Sequence, residues 1–106
     1  MKASTARVAE ANPKAVSQYK EMRAAVMDEP GADRLLLEIV ITSQLALLGQ
    51  ENAFKMHAVR LFELKVSKAQ LEQIILAGLG VTFVIPQVAQ ALDWIAQAHE
   101  KHLAAG

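Results

Sequence analysis

The chain has 106 residues, enough for one small domain with a modest core and too few for two. Its 11 basic and 11 acidic residues cancel, so no broad field draws it to nucleic acid or to an anionic membrane. It has no cysteine, which excludes disulfides, thiolate catalysis and cysteine metal sites, and its 53% hydrophobic share is rich for so small a domain and predicts a homo-oligomer.

Residues 1–11 carry no strong pattern and read as a flexible N-terminal arm, free to pack on a neighbouring subunit; residues 12–106 read as a single helical domain. The N-terminal stretch MKASTARVAEANP has basic residues but no continuous apolar run of the kind a secretory signal needs, so a cytoplasmic location is expected. Asn12 followed by Pro13 is a helix start, because Asn can accept a bond from a free backbone N–H and Pro has none to leave unsatisfied. Ala15, Tyr19, Met22 and Val26 then recur on one face, and Asp28-Glu29-Pro30-Gly31 ends the helix.

A second helix is predicted over 33–48, closed by Gly49. Leu35, Leu36, Leu37, Ile39, Val40 and Ile41 wrap most of its circumference, which makes it the expected central helix. A third is predicted over 51–64, with Gln50, Ala53, His57, Leu61 and Leu64 along one stripe, so that His57 faces inward or into a pocket. Ser67 and Gln70 have capping-box spacing, and Val66 can staple to Leu71; the helix they start carries Leu71, Ile74, Ile75 and Leu79. Residues 81–85 are β-branched and aromatic but have no partner strand, so they read as a buried turn or helix start before Pro86. The last helix buries Val88, Ala91, Leu92 and Ile95 and fades at His99–His102. Trp94 lies off that stripe and suits a subunit interface.

The apolar stretches raise the question of a membrane. Residues 35–48 are too few and include Glu38, Ser43 and Gln44, while 71–92 are interrupted by Gln73, Pro86, Gln87 and Gln90, so a buried helical hairpin is expected and no membrane span.

Glu38 and His57 stand nineteen residues apart and bracket Gln50 and Ala53. With the text LLLEIVITSQLALLGQENAFKMHAVRLFELKVSKAQLEQIIL around them, they resemble the carboxymuconolactone decarboxylase superfamily, which includes the alkylhydroperoxidase D-like proteins. The helix layout of about 12–98 fits, and the sharp part is 38–76. In the peroxidase branch a Glu precedes Cys-x-x-Cys-x-x-x-His at this interval. Gln50 and Ala53 occupy the two thiol positions here, so thiol-based peroxide reduction is excluded. The decarboxylase branch lacks the thiols and keeps a histidine in a segment like Lys55-Met56-His57-Ala58, followed by a helix like 67–76. That branch has acidic residues just ahead of its histidine, where this chain has Asn52 and Ala53, with Glu51 the nearest acid.

The resemblance implies an all-α, alkylhydroperoxidase D-like bundle of about five helices, built around the pair 33–48 and 51–64 and assembled as a trimer or hexamer. It implies a cofactor-free lyase or isomerase acting on a small carboxylated molecule. His57 would transfer the proton, Glu38 would be its partner, and Gln50 and Arg60 would contact substrate; no metal is expected. Each residue also has a plainer reading. His57 can be a core histidine tied to a carbonyl or carboxylate, and Arg34, Glu38 and Thr42 can form a polar stripe with an Arg34–Glu38 ion pair. Gln50 can be a helix-start residue, and Arg60 a surface cation. His99 and His102 are three apart but have no third ligand in sequence context. The whole-protein alternative is a non-catalytic oligomer of the same fold, structural or binding a small molecule.

Overall fold

Helix is the only regular structure in the computed structural model, which describes residues 3–106. In chain order the helices are α1 (Ser4–Ala11), α2 (Pro13–Met27), α3 (Arg34–Leu47), α4 (Glu51–Glu63), α5 (Lys68–Leu76) and α6 (Ile85–Ala105). Among the described residues there is no strand beyond one isolated bridge between Leu79 and Phe83. The chain divides into two units, residues 1–34 and 35–106, each taken by itself below.

In the first unit, α1 occupies most of the stretch expected as an arm; residues 1 and 2 of that stretch lie outside the described residues. The start of α2 follows the chemistry of its first two residues. The Asn12 side chain accepts from the Ala15 N–H at 3.0 Å, and Pro13 holds the first helical position. The inward face differs from the expected one. Val16 is the single buried residue of α2, while Tyr19, Met22 and Val26 remain 46%, 49% and 49% exposed. Val16 is one residue on from Ala15, a rotation of about 100° around the helix, and that offset turns the expected stripe to the side.

The second unit has its core where α4 and α5 pack on α6. Phe54, Leu61, Leu71, Ile75, Ala91 and Ile95 are fully buried there. At 21 residues α6 serves both neighbours, so its buried arc is wide: Val88, Ala91, Trp94, Ile95 and Ala98. Trp94 is therefore a core residue and not an interface one, its ring 5.8 Å from that of Phe54. The helix also continues past His102 to Ala105.

The helix expected at the centre, α3, is not surrounded. It buries Glu38, Thr42 and Ala46, at steps of four, and leaves Leu36, Val40 and Leu47 exposed. Apolar residues lie on several sides of α3, so hydrophobicity gives no single preferred direction, and the face turned inward is the one with Glu38, Thr42 and Ala46.

The connections are tied at their backbones. Gly49, at φ +70°, closes α3 by bonding its N–H to the Ala46 carbonyl while the Gln50 N–H reaches Leu45. The same pair of bonds closes α4, from Lys65 to Phe62 and from Val66 to Leu61, but here the left-handed residue is a lysine at φ +74°. A side chain in that conformation costs about 1–2 kcal/mol, against roughly 0.5–1 for the added freedom of glycine. Lys65 is exposed and anchors nothing, so Lys65→Gly is expected to raise stability by about 0.5–1 kcal/mol in urea unfolding. No change, or a loss, would show that the turn carries no strain.

Ser67 and Gln70 exchange both capping bonds, at 2.8 and 3.0 Å, and Val66 packs against the core beside buried Leu71. After α5 the chain turns on the Gly78 carbonyl, which accepts from Val81, Thr82 and Phe83 at 2.9 Å each. A Cβ at Gly78 would lie 2.5 Å from the Phe83 ring, so glycine is what lets that ring seat. The turn before Pro86 is formed, yet only Phe83 is buried, while Val81, Val84 and Ile85 are 85%, 61% and 71% exposed. A short turn has room to bury one large side chain, and the rest of the apolar segment faces out.

Candidate functional site

Glu38 and His57 are brought together by the α3–α4 hairpin. Glu38 Oε2 and His57 Nδ1 are 2.8 Å apart, with the Glu38 side chain 3% exposed and that of His57 17%. The Gly49 turn sets this register, since it reverses the chain so that a residue eleven before it meets one eight after it. Beneath the pair, Thr42 is fully buried and its hydroxyl donates to the Glu38 carbonyl at 2.7 Å. That back-bond satisfies a buried hydroxyl without touching the carboxylate. Glu38 and Thr42 lie on one stripe of α3, as their spacing of four implies, and both are buried. Arg34 takes no part in it, bonding Asp28 at 3.1 Å in the first unit.

A carboxylate can only accept, so the hydrogen of the Glu38–His57 bond belongs to Nδ1 and the lone pair of the neutral ring to Nε2. No sealed side-chain nitrogen or oxygen among the described residues lacks a partner. Among the described residues Nε2 and the second Glu38 oxygen make no hydrogen bond, so neither is fully sealed from solvent. The result is a carboxyl–imidazole pair in which the carboxyl is buried and the imidazole is 17% exposed.

The neighbouring residues sort by the direction of α4. Its buried stripe is Phe54, Ala58, Leu61 and Phe62, offset by one residue from the expected stripe, and this leaves His57 at the margin of the core. Ala53 is half-buried one turn before it. Gln50 is exposed and makes no side-chain cap bond; its backbone N–H and carbonyl, bonded to Leu45 and Phe54, tie α3 to α4. It sits seven residues ahead of His57, about 10 Å along the helix. Arg60, one turn after His57, is exposed, and its guanidinium lies 4.0 Å from the Met56 sulfur. Lys55 is paired with Glu51 at 2.6 Å.

His99 and His102 lie elsewhere, on α6 against the Phe62 ring, with centroids 5.1 and 5.6 Å away. Among the described residues no three His, Cys, Asp or Glu side chains gather as metal ligands. No described helix is long and apolar enough to cross a membrane. Sequence spacing pointed to the Glu38–His57 pair; the supporting role of Thr42 was visible only as the i, i+4 interval it shares with Glu38. No protein-family model, no curated protein and no solved structure matches the chain.

Proposed function

We propose that the chain is a carboxymuconolactone decarboxylase-like protein without redox cysteines, acting as a cofactor-free acid–base lyase or isomerase on a small carboxylated molecule. The observation that carries this reading is the 2.8 Å contact between a buried carboxylate and a partly open imidazole. In the proposed step His57 Nε2 takes a proton from a carbon next to the substrate carbonyl, and Glu38 steadies the imidazolium that forms. Arg60, which has no carboxylate partner among the described residues, would hold the substrate carboxylate. Gln50 is the weaker substrate contact, since its side chain is exposed about two turns away.

The test is hydrogen exchange in heavy water. The protein is incubated with carboxylated γ-lactones and unsaturated acids, and loss of their carbon-bound hydrogen is followed by NMR. Exchange is expected with the wild type and is expected to fall at least a hundredfold in His57→Gln and Glu38→Gln. Exchange that survives both substitutions would remove the dyad from the chemistry.

The assembly proposed with this function is a homo-oligomer, a trimer or hexamer, supported by the outward-facing Leu36, Val40 and Leu47 of α3. One observation favours the second reading, a non-catalytic member that binds a small apolar molecule. Between α1 and α2 lies an open, almost wholly apolar cleft of about 270 Å³, lined by Ser4, Thr5, Val8, Ala15, Val16 and Tyr19. Its lining has no histidine and no carboxylate.

A further inference from the structure

We propose that His57 is also a nucleophile toward activated acyl esters, giving the protein an acyl-transfer activity separate from carbon-bound proton transfer. The inference shares the dyad with the proposed function and needs neither its substrate nor Arg60.

A nucleophilic imidazole needs a lone pair in one known place, a path to it, and compensation for the positive charge that the ring gains. All three are present at His57. The 2.8 Å bond to Glu38 keeps the hydrogen on Nδ1 and the lone pair on Nε2. Among the described residues Nε2 has no protein partner, and it is not fully sealed. The compensating charge is a carboxylate only 3% exposed, held where water screens it little. His99 and His102 lack this arrangement, because each rests against the Phe62 ring and neither bonds to a carboxylate. The chain therefore contains its own controls.

With p-nitrophenyl acetate, the bond from Nε2 to the acyl carbon forms as the bond from that carbon to the aryl oxygen breaks, and the electron pair leaves on p-nitrophenolate. The charge gained by the ring is balanced by Glu38 across Nδ1. Water then adds to the acyl carbon, the carbon–Nε2 bond breaks with its pair returning to Nε2, both protons of the water pass to solvent, and acetate departs. His57 is the catalytic residue of this step and Glu38 a positioning residue.

The experiment follows p-nitrophenolate release by the purified protein at neutral pH, and maps the acetyl group by peptide mass analysis after an acid quench. The wild type is expected to turn over the ester with acetyl on His57. His57→Gln should lose at least nine-tenths of the enzyme-dependent rate, while His99→Gln and His102→Gln keep it. Glu38→Gln preserves shape but not charge, and should lower kcat roughly tenfold with KM little changed. Acetyl found only on lysines, no acetyl at all, or a His57→Gln rate equal to wild type overturns the proposal. The mapping is done on the wild type, so a poorly folded variant does not blunt the test. Acetylation of His57 without any carbon-bound exchange would sink the proton-transfer reading and leave acyl transfer standing. Exchange without acetylation would do the reverse.

Discussion

Substituting His57→Leu is expected to destabilise the protein by about 3 kcal/mol, and adding Glu38→Leu to it should restore most of that loss. The asymmetry comes from burial. Removing the imidazole strands a carboxylate that is 3% exposed, with its bonded oxygen left without a donor. Breaking a buried pair in this way costs about 3–5 kcal/mol, and the lower end applies because the second oxygen is not fully sealed from solvent. Removing the carboxylate alone strands a neutral N–H on a ring that is 17% exposed, at a cost nearer 1 kcal/mol. Replacing both groups by leucine leaves no orphan and adds apolar contact. Urea unfolding of the two single variants and the double variant, compared at equal m-values, gives the coupling directly. Additive effects, or a His57→Leu variant within about 0.5 kcal/mol of wild type, would show that the carboxylate is solvated and the dyad energetically loose.

The same asymmetry bears on function. A carboxylate that is costly to strand holds its imidazole in one tautomer and one orientation before any substrate arrives, and preorganisation of this kind is what an acid–base site needs. The dyad therefore has a price in stability that a plain aliphatic pair in its place would avoid.

Parts of this arrangement were legible in the sequence because they depend on local chemistry. Asn12 with Pro13, Gly49, and Ser67 with Gln70 each fix a backbone group within a few residues, and the structure contains all three devices where expected. The direction in which a helix faces depends on distant partners and was less legible. On α3 apolar residues lie on several sides, so hydrophobicity could not tell Leu36 from Ala46, and the inward face is the one with Glu38, Thr42 and Ala46. On α6, a stripe of Val88, Leu92 and Ile95 seemed to exclude Trp94 because it assumed a single packing partner, whereas α4 and α5 both lie against this helix. Glu38 and His57 were found by interval. Their contact distance, and the buried Thr42 beneath them, needed the hairpin itself.

Phe54→Ala is expected to be the most destabilising of the simple truncations, at about 3–5 kcal/mol, a large part of the roughly 5–15 kcal/mol that holds a domain of this size. Phe54 is fully buried and lies in the first turn of α4, where its ring meets Trp94 of α6 at 5.8 Å and an angle of 49°. Few side chains of the second unit can move to fill the space, because Ala58 and Ala91 offer only methyl groups and Leu61 and Ile95 are themselves fully enclosed. The melting temperature should fall by roughly 15–25 °C, scaling from the few degrees that each kcal/mol shifts a domain near this length. The chain has one tryptophan, so Trp94 fluorescence reports on this contact alone and should change in the variant before any unfolding. Phe54→Leu keeps most of the volume and should lose roughly 1–2 kcal/mol. The effect reaches the site as well, since Phe54 is three residues ahead of His57 and anchors the turn of α4 that presents it. Loosening that turn is expected to reduce the Glu38–His57 coupling measured by the double-variant cycle. A Phe54→Ala protein that melts within a few degrees of wild type, with unchanged fluorescence and undiminished coupling, would mean that α4 is held on α6 by its later residues, and that the dyad owes its geometry to the Gly49 turn alone.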